Sequence, residues 1–232
     1  MSAAPRDDRA AGPSGVLCPA EPWRLVGSLV VSFFRVPSGA LPDAVGARIP
    51  AGARPVTVAG STLVAAAFAH YAPGGVLQYD ELLTAVPVRY GRRLAVTVPH
   101  IWVDSPQSRA GGRELWAIPK DLAVLTRSGR GAAVRAAAYA DGAPIASLRA
   151  EVGARLPPGR WGAALTTLQR LGGQEVRARS RAAFRPHAAR VSWSFAPSGP
   201  LGHLASRRPW LSLALEDASV VFGTERARRA VP

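Results

Sequence analysis

The sequence predicts a mainly β, α+β fold: an antiparallel sheet, barrel-like or cone-shaped, with a few short helices. Three observations predict it. Runs rich in β-branched and aromatic residues recur along the chain, roughly nine in all. The 23 glycines and 21 prolines are spread between those runs as turn signals rather than gathered in one tract. Asp141-Gly142 stands between two apolar runs, the strongest short-range hairpin signal a sequence offers.

The elements follow in order. Residues 1–21 carry early acidic residues and no apolar run, so they read as a disordered tail and not as a secretory signal. Residues 24–36, RLVGSLVVSFFRV, make a first strand stopped by Pro37. A loop or short helical turn punctuated by Pro42, Gly46 and Pro50 leads to residues 55–71, a long strand bending at Gly60. In LQYDELLTAVPVRYG, strand alternation puts Tyr79, Glu81 and Leu83 on one face and Asp80, Leu82 and Thr84 on the other. Residues 94–104 form a strand with His100, Trp102 and Asp104 on one face, where His100 reads as lining a barrel. SPQSRAGG is a loop or short helix that delivers the chain to residues 111–123.

Residues 132–140 and 143–152 form the hairpin. Residues 157–171 admit two readings, a helix from Trp161 to Leu171 or a loop followed by a strand. Residues 174–184 and 188–196 read as two strands, and SGPLGHLASRRP holds one helical turn. LSLALEDASVVFG closes the chain as a strand kinked near Glu216-Asp217. There is no internal repeat and no interior linker, so residues 22–230 read as one domain.

Composition narrows the function classes. Residues 63–69 are the longest nearly apolar stretch, far too short to span a bilayer. Cys18 is alone, so no internal disulfide is expected, and the cytoplasm is the expected compartment. A net charge of +14 raises nucleic acid as a partner. The cations are dispersed, however, with +6 over residues 1–150 and +8 over residues 151–232. Arg177, Arg179 and Arg181 alternate along a strand and so share one face, which either tracks phosphates or lines the mouth of a site for anions, or is simply a solvated face. Without zinc-finger spacing or a basic heptad helix, nucleic acid is not an expected partner. No phosphate loop, dinucleotide fingerprint or HExxH is present, and His70, His100, His187 and His203 are too scattered for local metal spacing, so no metal or cofactor is expected. His100, Asp104 and Ser105 lie close in sequence, but without a GxSxG elbow they do not make a hydrolase triad.

One residue stands apart. Lys120, in GGRELWAIPKDLA, is the only lysine; the other 28 basic residues are arginine. Arginine replaces lysine as a charge but not as an amine nucleophile, because its guanidinium is essentially never deprotonated. A free lysine has a pKa of about 10.4, so only roughly one in two thousand is neutral at pH 7. Burial in an apolar pocket raises that fraction, and Trp116, Ala117, Ile118, Pro119, Leu122 and Ala123 supply apolar neighbours.

The stretch GRELWAIPK resembles the signature of the acetoacetate decarboxylase family, in which the lysine after GRE-x-x-x-x-P forms the substrate Schiff base. Tyr79-Asp80-Glu81 is similar to the family's Tyr-x-Glu segment, and the resemblance extends over nearly the whole chain from about residue 22. It implies a homo-oligomeric lyase acting on a small-molecule keto acid or ketone. Lys120 is then the nucleophile and Glu81 the proton shuttle, or the group that orders the substrate. Tyr79 contacts a substrate oxygen or is simply a packed aromatic, and Trp116 shapes the substrate pocket. Arg24 matches the family's first-strand arginine, with Gly27 an equal candidate for that register. Arg113 and Glu114 form a supporting ion pair that holds the lysine loop. Two positions depart from the pattern. Asp121 stands where the decarboxylases carry a second lysine, and their second pocket glutamate falls on Ala65 or Ala66. The resemblance therefore also admits an aldolase- or dehydratase-type relative using the same lysine, or an inactive ligand-binding member.

Overall fold

The computed structural model describes residues 9–11, 15–129 and 131–230. Its strands are β1 (Arg9–Ala11), β2 (Leu17–Pro19), β3 (Trp23–Pro37), β4 (Ala53–Pro55), β5 (Thr57–Val58), β6 (Ser61–Tyr71), β7 (Tyr79–Tyr90) and β8 (Arg93–Val103). They continue as β9 (Lys120–Leu122), β10 (Val124–Ser128), β11 (Ala133–Ala140), β12 (Ala143–Arg155), β13 (Trp161–Leu171), β14 (Gln174–Phe195) and β15 (Leu211–Ala230). The helices are α1 (Asp43–Gly46) and α2 (Pro106–Trp116), with single 3₁₀ turns at Ser38–Ala40 and Gly202–Leu204.

The expected mainly β, closed sheet forms. β3, β6, β7, β8, β13, β14 and β15 are neighbours in that order, and β15 pairs with both β14 and β3, which closes a ring. Pairing is antiparallel except where β8 meets β9 and β13. The β8–β13 seam is thin: one parallel bridge, Thr167 to Val96, and a 2.9 Å bond from Thr97 Oγ1 to the Leu168 carbonyl.

A second layer grows from the ring. The C-terminal half of β14 carries β12, β11 and β10 in turn. Their apolar residues, Val134, Ala136, Ile145 and Leu148 among them, pack in one buried cluster with Val30, Phe34, Phe68 and Leu82 of the ring. β3 is thus covered on both sides, with Leu29, Val31 and Phe33 facing the ring interior and Val30, Phe34 and Val36 facing this core. That is why LVVSFF runs apolar without alternation. Asp141 and Gly142 both take positive φ, 50° and 76°, as a two-residue hairpin turn requires.

Several expectations are corrected. The tail reading fails over residues 15–21: Leu17–Pro19 pairs with Arg9–Ala11, Cys18 is 3% exposed, and Trp23 Nε1 donates to the Pro19 carbonyl at 2.8 Å. For residues 1–8 and 12–14 that reading lies outside the described residues. Gly60 does not bend one long strand but turns a hairpin between β5 and β6. Of the two readings of residues 157–171, the loop followed by a strand is the one that forms, with the strand at Trp161–Leu171. Residues 174–195 are one strand rather than two, with a register shift near Arg185 that accommodates Pro186. The kink expected near Glu216-Asp217 does form, as a bulge in which Asp217 takes φ 48°.

Candidate active site

Helix α2 sets the site. Ser105 caps it, its Oγ accepting the Ser108 N–H at 3.1 Å, and Pro106 follows in the first turn, where its missing N–H costs nothing. The helix stops at Ala117 in the left-handed conformation, φ 53°. The chain then folds back along the helix. Ile118 N–H bonds the Gly112 carbonyl, and Lys120 enters β9 beside Ile101 of β8. Two glycines allow this approach. A Cβ on Gly111 would fall 2.3 Å from the Trp23 ring, and one on Gly112 would fall 2.6 Å from Lys120 Cδ.

Lys120 is 4% exposed. Its Nζ donates to Glu81 Oε2 at 2.8 Å, Ser108 Oγ at 2.9 Å and Tyr79 Oη at 3.2 Å. Glu81 is buried too, also 4% exposed. Burial, and then the Glu81 charge, hold the Tyr79 phenol well above its ordinary pKa, and the same two causes act on Tyr71. Both therefore stay neutral phenols across the physiological range. Lys120, Glu81 and Tyr79 open on a cavity of about 440 Å³ inside the ring, whose remaining walls are mostly aliphatic and aromatic.

The structure brings Lys120, Glu81 and Tyr79 together, and Trp116 forms part of the cavity wall. The Trp116 indole meets Trp23 and Phe222 edge-on, at 4.8 Å and 4.5 Å between centroids, and donates to Glu21 Oε2 at 2.9 Å. Asp121 points out, 59% exposed at its side chain, and accepts from Arg113 at 3.0 Å. The same Arg113 nitrogen also donates to the Lys120 carbonyl at 2.9 Å, so it ties the lysine's backbone to the Asp121 carboxylate. The expected Arg113–Glu114 pair is corrected accordingly. The guanidinium serves residues 120 and 121, while the Glu114 carboxylate lies toward Cys18, whose thiol pKa it raises second to burial.

Arg24 is not brought to the cavity. It is exposed, because alternation along β3 turns Trp23 and Leu25 inward. Gly27 has the inward parity, but a Cβ there would overlap the His70 carbonyl oxygen at 1.9 Å, so β3 contributes no cation. Neither Ala65 nor Ala66 offers a carboxylate, and Ala66 faces the outer core. His100 does not line the ring interior. It stacks on Trp102 at 5.9 Å, and burial, His203 and Arg48 lower its pKa from 6.5 to about 4. Asp104 accepts the Asp80 N–H instead. Arg177, Arg179 and Arg181 are exposed; Arg179 pairs with Glu225 at 3.2 Å, and Arg181 also lines the cavity that Lys120 opens on. Among the described residues, no group of three or more His, Cys, Asp or Glu could hold a metal ion, and no helix is long and apolar enough to cross a membrane.

Ser108 is the participant that the sequence reading missed. Had SPQSRAGG been resolved as a helix, Ser108 and Gly112 would have fallen four residues apart on the face that meets Lys120.

The family model for acetoacetate decarboxylase matches residues 26–172, more than half of the chain. No curated protein matches the sequence. The fold resembles that of an acetoacetate decarboxylase from Legionella pneumophila subsp. pneumophila str. Philadelphia 1, with a TM-score of 0.73 at 16% identity over 98% of this chain and 92% of that one. It also resembles the enduracididine biosynthesis enzyme MppR complexed with pyruvate, with a TM-score of 0.63 at 16% identity and 95% coverage of each chain. An acetoacetate decarboxylase-like enzyme from Sphingomonas wittichii RW1 gives a TM-score of 0.66 at 14% identity, over 94% of this chain and 97% of that one.

Proposed function

This chain belongs to the acetoacetate decarboxylase family, and from that premise we propose that it is a Schiff-base-forming carbon–carbon lyase acting on a β-keto acid. The observation that carries the reading is a buried primary amine, 4% exposed, bonded to one buried carboxylate at the wall of an apolar cavity.

Glu81 takes the ammonium proton along its 2.8 Å hydrogen bond, which exchanges a buried ion pair for a neutral amine and acid without moving net charge. The free amine attacks the ketone carbon. Glu81 returns the proton to the departing oxygen, and water leaves as the iminium forms. The bond to the carboxylate then breaks. Its electron pair moves toward the iminium nitrogen, CO₂ departs and an enamine remains. Glu81, reprotonated from solvent, protonates the enamine carbon, and hydrolysis frees the product and Lys120. Tyr79, kept as a phenol, donates to the substrate oxygen, while Ser108 and Tyr79 aim the amine. Outward-facing Asp121 neither activates nor quenches the amine. With no second lysine beside it, the amine gives up its proton to Glu81, 2.8 Å away.

A second reading uses the same imine for aldol-type condensation or dehydration. The absence of a cation or second carboxylate at Arg24, Ala65 and Ala66, together with the likeness to an enzyme complexed with pyruvate, favours it. Borohydride reduction with acetoacetate and with pyruvate tests both. The expected result is a reduced adduct on Lys120, absent in Lys120→Arg, with CO₂ released from the β-keto acid. An adduct without CO₂ supports the second reading. No adduct with any ketone leaves an inactive ligand-binding member and overturns both.

A further inference from the structure

The inner wall beyond Glu81 points to the substrate class. Cross-strand pairing sets Leu29, Ala69 and Glu81 in one row across β3, β6 and β7. Two residues along, the row is Val31, Ala67 and Leu83, and two further it is Phe33, Ala65 and Ala85. Each step is roughly 7 Å, so the wall continues about 13 Å past the carboxylate with no polar side chain in those two rows. Val31, Phe33, Leu83 and Ala85 line the same cavity as Lys120, and Phe184 of β14 lines it too. At about 440 Å³ the cavity would hold about fifteen waters at about 30 Å³ each. A four-carbon keto acid at Lys120 would leave much of that water against apolar side chains, which is unfavourable.

We propose that the substrate is a β-keto acid with an extended apolar acyl chain, its ketone at Lys120 and its chain lying between Leu83, Ala85, Val31 and Phe33. This rests on the lysine site proposed above and adds what that site accepts. Burying each methylene gives about fourfold in kcat/KM. The chain-length profile therefore rises steeply from acetoacetate through β-ketohexanoate to β-ketooctanoate.

The test has two independent arms. The first compares kcat/KM for the three acids, with borohydride trapping on Lys120 run alongside. The second titrates β-hydroxyoctanoate and β-hydroxybutyrate, which have no ketone, against the fluorescence of Trp23 and Trp116 at the cavity wall. The longer acid is expected to bind at least about thirtyfold more tightly. Ala85→Leu should cut the β-ketooctanoate to acetoacetate ratio about tenfold or more. Leu83→Phe is the second variant should that one fail to fold. Trapping of acetoacetate with a flat or falling profile overturns the inference and leaves the lyase standing. Tight β-hydroxyoctanoate binding with no trapping of any ketone upholds the ligand class and overturns the lyase. Equal binding of the two hydroxy acids overturns the inference outright.

Discussion

Lys120 is held by three side chains from two elements, Tyr79 and Glu81 of β7 and Ser108 of α2, and its stem passes over a glycine. Glu81→Gln keeps the shape and a hydrogen bond to Nζ but cannot carry the proton. Its kcat should fall about 10²–10⁴-fold while a trapped adduct still accumulates slowly, as steady-state rates and mass spectrometry would show. Gly112→Ala places a methyl where Lys120 Cδ runs. The expected cost is about 1–3 kcal/mol in urea unfolding, with a slower rate of trapping. The sequence made Lys120, Glu81 and Tyr79 legible, because a motif marks the first and strand parity joins the other two. It misplaced Arg24, because parity along β3 was not anchored to a face. Ser108 and the crowding at Gly112 emerge only when helix and lysine are seen back to back.

At the scale of elements, strands were legible wherever apolar runs met glycine or proline. β14 was not, because Arg185-Pro186-His187 reads as a break, yet a bulge lets the strand pass through it. Residues 161–171 carry a pattern compatible with a helix, and only pairing along the first half of β14 decides for strand. The β8 strand also carries a pH-dependent term through His100, whose pKa falls from 6.5 to about 4 on folding. Between those values the unfolded chain binds a proton that the folded chain refuses. Stability is therefore full above pH 6.5 and is lost as pH falls toward 4, at about 1.4 kcal/mol per pH unit for that one proton. His203, lowered by burial and Arg207, acts in the same direction. His100→Gln should narrow the gap between urea midpoints at about pH 5 and pH 7, and an unchanged gap would place the acid sensitivity elsewhere.

For the molecule as a whole, the cavity lies inside the ring, the largest buried cluster lies outside it between the two layers, and a second cluster runs along the cavity wall and under α2. A ligand filling the interior touches β3, β7, β8, β14 and β15 at once, so binding and global unfolding are coupled. β-Hydroxyoctanoate at about 100 times its Kd should add about 2.7 kcal/mol. For a chain of this size that raises Tm by about 5–10 °C in a thermal scan. The closed, mainly antiparallel plan was legible from composition and turn signals. The layering was not, because which face of a doubly apolar strand looks inward is settled by partners far away in sequence.

The place of β15 between β3 and β14 has a consequence for the order in which the protein can mature. Leu211 pairs with Phe33, so β15 must reach back across nearly two hundred residues to close the ring. Until β15 has been made, nascent β3 has a bare edge and Lys120 has no chamber around it. Closure of the chamber therefore waits on β15 and is slow, as expected where distant segments must find one another.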